Sequence, residues 1–476
     1  MLFNSIEFLL FLPLAFFAYW LVGNRKWQNL VVVVSSAVFY GWWDWRFLGL
    51  ISFTSCWSYI VGRLEERRFD ATHGSKLLLV ISCVVNLGIL AYFKYFNFFI
   101  DSFVALLRSI GIQSNLSSLN VILPVGISFY TFQALSYTID VYRRQIRPTR
   151  DFIAFLAFIS FFPQLVAGPI ERATNLLPQF SSQRTFSYPL AVAGCRQMLC
   201  GFFKKVLVAD TCAKIANALL ANNAPSSVSL WIGMLAFTFQ IYGDFSGYSD
   251  IAIGCAKLFG VNLMRNFSYP YFARDIADFW RRWHISLTTW FRDYLYIPLG
   301  GSRCTTWRRI RNTMAIFLVS GFWHGANWTF VFWGLFHAIC FIPLLLRGKN
   351  RRHVYHVDTT VRVLPKFCEV RDILLTFLIV VIGWTFFRAP DLPTAFRWVG
   401  RMVVPIDLRI HQLSLGLAMC GILPVLTLVI WEWYSRNQDK MWFPRIKSLR
   451  WFSYLCVALS IVYFKPEPQS FIYFQF

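Results

Sequence analysis

Long apolar runs, separated by short polar segments, make up most of the chain. Many of these runs approach the roughly 20 residues that an α-helix needs to cross a bilayer. They lack strand-like alternation, and a backbone in lipid must satisfy its own hydrogen bonds, so the pattern predicts helices. The predicted apolar helices are 6–22, 29–42, 47–62, 77–97, 121–142, 152–167, 190–208, 228–243, 311–323, 327–346, 372–388, 413–433 and 451–464.

Several of these helices are too short to span a bilayer, which is typical of re-entrant or interfacial segments. We therefore predict an all-α polytopic membrane protein with about ten to twelve transmembrane helices. No internal repeat or soluble segment is evident, so the sequence predicts one integral-membrane domain over 1–476.

Composition and charge agree with this class. The chain is 57% hydrophobic and 14% charged, whereas soluble domains carry about 25% charged residues. A net charge of +23 could indicate nucleic-acid binding. The basic residues, however, gather in short loops, as the positive-inside rule predicts for the cytoplasmic side. We expect contact with anionic lipid and no nucleic-acid partner. The basic segments are 25–26, 63–76, 143–150, 347–352 and 436–450.

A different pattern occupies residues 273–299. Apolar residues recur there at steps of three and four, including Trp280, Trp283 and Leu287, and charged residues fill the other side. This predicts an amphipathic helix that lies in the interface or lines a polar cavity. His284 adjoins the apolar stripe, so its ring should point inward. The alternative is an interfacial helix whose histidine caps a carbonyl of a neighbour.

A second histidine, His324, lies in an apolar run, within the stretch SGFWHGANW that covers 320–328. An ionisable residue at membrane depth is costly, so it is by default a candidate functional residue. His324 belongs to the predicted helices over 311–346, and Asn327 would share its helical face, and could orient the imidazole, if the helix over 311–323 continued. His337 would lie about 220° away on an unbroken helix and could not share the site. The alternative is a core histidine bonded to a backbone carbonyl.

Other polar residues allow two interpretations each. Asp244 lies in a polar cluster over 243–250 that could form a cavity wall, or a buried hydrogen-bond network at a helix break. Arg281, Arg282 and Arg292 could attract a phosphorylated donor, since arginine matches phosphate geometry. They could equally extend toward lipid headgroups.

Common catalytic and metal-binding motifs are absent from the sequence. It contains no HExxH, GxSxG, GxGxxG or Walker A pattern. The eleven cysteines form no CxxC pair, so we interpret them as small core residues. His353 and His356 are spaced i,i+3 in a basic loop without cysteine partners. We predict neither a metal site nor a bound cofactor.

Two segments carry a family resemblance. Residues 278–301, DFWRRWHISLTTWFRDYLYIPLGG, and 321–328, GFWHGANW, resemble the membrane-bound O-acyltransferase family. The stretches 123–133, 162–170 and 471–476 are similar to its bacterial branch, which acetylates alginate or D-alanylates teichoic acid. The resemblance covers nearly the whole chain.

The resemblance implies a helical fold around a central buried funnel in the bacterial inner membrane. It implies that His324, flanked by Trp323, is catalytic and that His284 is its partner. The acyl group, here acetyl, would come from a cytoplasmic thioester, either acetyl-coenzyme A or an acyl carrier. An extracytoplasmic polysaccharide would accept it, with a separate extracytoplasmic acetyltransferase as partner.

The chemistry of the residues agrees with this implication. Acyl transfer to a hydroxyl needs a base for the hydroxyl proton and a donor for the developing oxyanion. Neutral His324 would be the base, and His284 and Asn327 would orient groups or stabilise charge. Three alternatives stay open: a transporter or flippase of a lipid-linked glycan, a scaffold of a secretion complex, and an acyltransferase for a teichoic-acid, lipid or protein acceptor. A transporter would favour repeated halves, and the sequence contains no such pairing.

Overall fold

The computed structural model describes residues 1–67, 75–114, 116, 118–119, 121–166, 168–221, 225–352, 365–404, 415–436, 443–463 and 471–472. Within these residues the regular structure is helical, without β-strands. The α-helices are α1 Ile6–Leu21, α2 Arg25–Gly41, α3 Phe47–Glu66, α4 Lys76–Leu90, α5 Phe96–Ser109, α6 Ile127–Tyr142, α7 Phe152–Ser160, α8 Phe162–Leu165, α9 Ala173–Ser181, α10 Tyr188–Phe202, α11 Asp210–Leu220, α12 Ser227–Leu258, α13 Ile276–Arg282, α14 Ile285–Phe291, α15 Thr306–His324, α16 Trp328–Leu346, α17 Phe367–Arg388, α18 Leu392–Val403, α19 Leu415–Ser435 and α20 Lys447–Tyr463.

Three π-helical turns join or extend these helices. They are Ala91–Tyr95 between α4 and α5, Phe203–Ala209 between α10 and α11, and Arg292–Tyr296 after α14. Such turns shift the side-chain register of a helix without ending it. Thus α4 and α5 form one apolar stretch, Lys76–Ser109.

Five helical segments of the described chain are long and apolar enough to cross a membrane. The predicted all-α polytopic fold is therefore confirmed, while the number of spans and the central funnel stay predictions. The five segments are Phe47–Glu66, Lys76–Ser109, Trp328–Leu346, Phe367–Arg388 and Gly416–Ser435.

The described residues form two compact units. The first consists of Met1–Cys195 and Ala252–Met264, and the second of Arg196–Ile251 and Arg265–Phe476. Both candidate histidines belong to the second unit.

Polar contacts to backbone carbonyls hold the first unit together. The buried Tyr19 hydroxyl donates to the carbonyl of Phe259 at 2.9 Å, and Asn29 donates from Nδ2 to the carbonyl of Phe180, also at 2.9 Å. Such bonds satisfy polar groups in surroundings where water is scarce. They connect α1 and α2 to later parts of the same unit.

In the second unit, α15 and α16 pack as an antiparallel pair whose backbones nearly touch. A Cβ on Gly334 would lie 2.2 Å from the carbonyl oxygen of Phe317, and a Cβ on Gly321 would lie 2.2 Å from that of Phe330. Small residues permit this approach, as they do in many membrane helix pairs. The pair positions His324, which is the last residue of α15.

A buried cluster of charges lies in another part of the second unit. Lys204 and Lys205, in the π-helical turn after α10, are 4% and 1% exposed. Buried charges of this kind need close partners, because removing one partner leaves an uncompensated ion. Their partners, at 2.7 to 3.1 Å, are Asp250 and Glu432 for Lys204, and Asp210 and Asp244 for Lys205.

We expect Gly334→Ala to lower the stability of the protein, because the added methyl group would collide with the backbone of α15 rather than with a movable side chain. The expected loss in unfolding free energy is about 1–3 kcal/mol. Thermal unfolding of the detergent-solubilised protein measures this loss. Gly400→Ala is the matched control, because nothing lies within 4 Å of a Cβ at that position. Equal melting temperatures for the two variants would contradict the close approach of α15 and α16.

Candidate active site

The amphipathic segment around His284 is broken. The single helix predicted over 273–299 is instead two seven-residue helices, α13 and α14, each only about 10 Å long. Asp275 caps α13 by accepting from the backbone N–H of Asp278 at 2.7 Å. His284 then adopts φ 43° and ψ 54°, a left-handed conformation that costs energy for a residue with a Cβ.

Asn266 holds this turn in place. Its carbonyl accepts from the backbone N–H of Ile285 at 2.8 Å. Its side-chain Oδ1 accepts from the Ser286 hydroxyl at 2.9 Å and lies 3.0 Å from Nδ1 of His284. Its Nδ2 donates to the hydroxyl of Ser249 at 3.1 Å. One loop residue therefore fixes both the backbone and the ring of His284.

These contacts also determine which nitrogen of His284 carries a proton. Oδ1 of Asn266 also accepts from the backbone N–H of Ser286 at 3.3 Å, and a backbone N–H can only donate. The atom that faces Nδ1 is therefore an acceptor, so Nδ1 carries the hydrogen. The ring is 1% exposed, and burial lowers the pKa of His284 to about 3. The imidazole is neutral, and its Nε2 keeps a lone pair.

His324 lies at a sharp reversal of the chain. It ends α15, and Gly325 continues in an extended conformation, with φ −164° and ψ 153°. A Cβ on Gly325 would lie 2.2 Å from a ring atom of Phe330, so only glycine fits between the two helices. His324 is 2% exposed, and its ring meets Trp333 edge-on, at 5.1 Å between centroids and an angle of 90°.

The structure brings the two imidazoles together. Their centroids are 6.3 Å apart, and Trp323 lies beside both, at 5.9 Å from His284 and 5.0 Å from His324. Phe245 of α12 packs against the other side of His284 at 4.6 Å. The separation is too long for a direct ring-to-ring hydrogen bond.

Asn327 would share the helical face of His324 only if α15 continued, and α15 ends at His324. Asn327 instead begins α16 and accepts from the backbone N–H of Thr329 at 3.0 Å. Its Nδ2 donates to the carbonyl of Pro390 at 3.1 Å. Its observed contacts are therefore those of a helix cap.

The angle calculated for His337 assumed an unbroken helix, and that condition is not met, because α15 ends at His324 and α16 begins at Trp328. The break after His324 lets α16 fold back along α15. His337 then packs against Trp333 at 5.0 Å, and Trp333 also contacts His324 at 5.1 Å. His337 is 0% exposed. The sequence carries the signal for this reversal in Gly325, which a straight-helix projection ignores.

The three arginines make local contacts. Arg282 pairs with the buried Asp278 at 2.8 Å, and Arg292 pairs with its neighbour Asp293 at 2.7 Å. Arg281 donates to the carbonyl of Asn350 at 2.8 Å, which brings it next to the basic segment 347–352. The side chains of the three arginines are partly exposed, so the surface around them is positively charged. Their attraction of a phosphorylated acyl donor stays a prediction.

Asp244 takes part in a structural network. Its carboxylate pairs with Lys205 at 2.7 Å and accepts from the backbone N–H of Ile472 at 2.7 Å. α12 runs unbroken through 243–250, so the proposed helix break is absent. Of the two interpretations, the buried network describes this carboxylate.

Nothing in the described chain suggests a metal centre, since no three histidine, cysteine, aspartate or glutamate side chains in it stand close enough to hold an ion. His353 and His356 lie outside the described residues. Besides Trp333, two contributors to the site were missed by sequence reasoning. Asn266 lies in a loop without periodicity, and Phe245 lies on a helix that is apolar on most sides.

Comparisons with known proteins give the family. The model of the membrane-bound O-acyltransferase (MBOAT) family matches residues 93–363. A Pseudomonas putida protein named "Probable alginate O-acetylase AlgI" is 42% identical over 431 residues, which cover 90% of this chain and 85% of the relative. The peptidoglycan O-acetyltransferase of Helicobacter pylori is 32% identical over 505 residues, covering 99% of this chain and 90% of the relative. The teichoic acid D-alanyltransferase of Streptococcus thermophilus is 27% identical over 349 residues, or 66% and 83% of the two chains.

The chain therefore belongs to the membrane-bound O-acyltransferase family, as its motifs suggested. It is a multi-pass membrane protein and an acyltransferase.

We expect Asn266→Ala to release the His284 turn and lower acyl transfer by about a hundredfold, because small displacements of a reacting group cost that much. Asn266→Asp keeps the acceptor for Nδ1 and should recover most of the rate. Initial rates in membrane vesicles, normalised to the amount of folded protein, measure both variants. Equal rates for alanine and aspartate would contradict the role given to the Asn266 side-chain oxygen.

Asn327→Ala should lower stability by about 1 kcal/mol, the usual value of a helix cap. It should leave the rate within about twofold of the wild type, because both polar atoms of its amide are engaged with the backbone of Thr329 and Pro390. Asn327→Ser, which can still cap α16, should restore the melting temperature. A rate lost in Asn327→Ala at an unchanged melting temperature would show that Asn327 acts on the chemistry.

Proposed function

We propose that this enzyme moves an acetyl group from a cytoplasmic thioester to a hydroxyl group, with His324 as general base. The observation that carries the proposal is the buried pair His284 and His324, whose centroids are 6.3 Å apart. A neutral imidazole is the side chain best suited to take a proton near pH 7. The surrounding indole and phenyl rings exclude water, which limits hydrolysis of the thioester.

The reaction is balanced with the groups present. The hydroxyl oxygen attacks the thioester carbonyl carbon, and its proton passes to His324. The carbonyl becomes an oxyanion, which then expels the thiolate and reforms the double bond. The proton on His324 passes to the leaving sulfur, so the products are an ester and a free thiol. His324 is neutral again at the end.

His284 takes a positioning role in this proposal. Its Nδ1–H is bound to Asn266, and its Nε2 carries a lone pair. It can therefore accept a hydrogen bond from the attacking hydroxyl or from a bridging water. It cannot donate to the oxyanion while neutral.

We propose that the acetyl donor binds at the basic surface of the second unit. Arg281 contacts the carbonyl of Asn350 at 2.8 Å, and Arg351 donates to the Ser302 hydroxyl at 3.2 Å. These contacts gather arginines beside the helices that lead to His284. A phosphorylated carrier of the acetyl group, coenzyme A or the prosthetic group of an acyl carrier protein, suits such a surface. Clustered basic residues also favour the cytoplasmic side.

The acceptor is proposed from the relatives. Two of them are named for the acetylation of a polysaccharide, alginate or peptidoglycan. We infer an extracytoplasmic polysaccharide as the final acceptor and the bacterial inner membrane as the location. A separate extracytoplasmic acetyltransferase would complete the transfer to the polymer.

We expect His324→Ala and His324→Gln to abolish acetylation, because a general base contributes roughly 10²–10⁴ in rate. Acetate released by alkali from the cell-surface polymer measures this in cells. Asn327→Ala, three residues away and outside the chemistry, is the matched control and should keep ester content. Wild-type ester levels in a His324→Gln strain that produces folded protein would refute the proposal.

A further inference from the structure

The proposed reaction also requires hydrogen-bond donors that stabilise the oxyanion, and the residues described so far do not supply them. His284 presents a lone pair rather than an N–H to the site, and the amide of Asn327 caps α16 and contacts Pro390. Buried hydrogen-bond donors near the base are a general requirement for acyl transfer. Other N–H groups close to His324 are therefore the groups to consider.

Trp333, which contacts His324, and two rings that pack against Trp333 carry such groups. Trp280 of α13 and Trp333 and His337 of α16 lie at mutual centroid distances of 5.5, 5.1 and 5.0 Å. Trp333 also contacts the ring of His324 at 5.1 Å. The three rings thus form a compact group, the indole–imidazole group, that begins directly at the proposed base.

The polar atoms of this group lack protein partners within the described part of the chain. The indole nitrogens of Trp280 and Trp333 and both ring nitrogens of His337 make no hydrogen bond there. The three side chains are nevertheless 7%, 1% and 0% exposed. Buried donors without a partner destabilise a fold, and native proteins keep few of them. Such donors gathered beside a base are explained by an acceptor that arrives with the substrate.

The surroundings of His337 would accommodate an apolar side chain at a lower cost than an imidazole. A Cβ on Gly383 of α17 would lie 2.9 Å from its Nε2, so the ring sits directly against the backbone of that helix. Phe279 stacks on the ring at 6.3 Å with an angle of 8°. A phenylalanine at 337 would fill such surroundings without the cost of a buried imidazole.

We propose that His337, with Trp280 and Trp333, binds the carbonyl oxygen of the thioester donor and stabilises the oxyanion that forms on it. The inference rests on the proposed acyl transfer and adds the donors to it. Neutral imidazole supplies one N–H and each indole supplies one, and all three lie in surroundings of low polarity, where hydrogen bonds to a negative oxygen are strongest. His337 and the two tryptophans are then catalytic residues, since they touch the reacting atom.

The test uses the full-length enzyme in inverted membrane vesicles of the producing bacterium, with acetyl-coenzyme A as the probe. Thiol release gives kcat and KM, and thermal unfolding of the solubilised protein gives the melting temperature. We expect His337→Phe and Trp333→Phe each to lower kcat by about a hundredfold with little change in KM, because an oxyanion donor acts mainly in the transition state. The melting temperature of His337→Phe should be equal to or above that of the wild type.

Two further variants separate chemistry from packing. His337→Gln restores a side-chain N–H and should regain part of the lost kcat. Phe336→Leu is the matched control, since Phe336 packs on His337 at 5.6 Å but carries no polar atom, and its kcat should stay near the wild type. Should His337→Phe be unfolded, Trp333→Phe and His337→Gln still decide the question.

The inference is overturned if folded His337→Phe and Trp333→Phe keep kcat within about twofold of the wild type. It is also overturned if Phe336→Leu loses as much kcat as His337→Phe. The proposed function fails by a different result, namely thiol release by His324→Ala at the wild-type rate. A protein that loses activity with His324→Ala and keeps it with both phenylalanine variants retains the proposed function and loses only the oxyanion donors.

Discussion

The geometry around His284 depends on the hydrogen bonds of one loop residue, Asn266. A left-handed conformation costs a residue with a Cβ roughly 1–2 kcal/mol. Asn266 offsets that cost by binding the backbone of Ile285, the side chain of Ser286 and Nδ1 of His284 itself. The turn ends α13, begins α14 and holds the imidazole of His284 with its centroid 6.3 Å from that of His324. The same hydrogen bonds fix the tautomer of the His284 ring, so they determine both the position of the ring and which of its nitrogens carries the hydrogen.

Within the second unit, the buried lysine ion pairs and the two histidines have different surroundings. The ionised side chains of Lys204 and Lys205 are surrounded by their own carboxylates, whereas the two histidines lie among aromatic rings. α12 serves both regions, because Asp244 reaches Lys205 while its neighbour Phe245 packs on His284. Aromatic surroundings have low polarity, which strengthens hydrogen bonds to a developing oxyanion.

Much of the fold could be predicted from periodicity and composition, and the candidate site could be predicted only in part. The apolar runs gave the helices, and the isolated histidines were recognised because ionisable residues are costly at membrane depth. The errors share one cause, the assumption that a helical pattern continues. Residues 273–299 keep a helical repeat across Trp283 and His284, although the chain turns there. The same assumption underlies the helical face assigned to Asn327 and the angle calculated for His337.

The sequence by itself determined the class of protein and the helical architecture and indicated the two histidines as candidate residues, because these follow from residue types and their spacing. Only the tertiary structure decided which residues complete the site. Hydrogen bonds from a loop, as at Asn266, and the close approach of two helices at glycine, as at Gly321 and Gly334, depend on segments far apart in the chain. Local patterns record the preference of each segment, whereas the turn at His284 and the reversal after His324 are stabilised by contacts that exist only after the chain has folded.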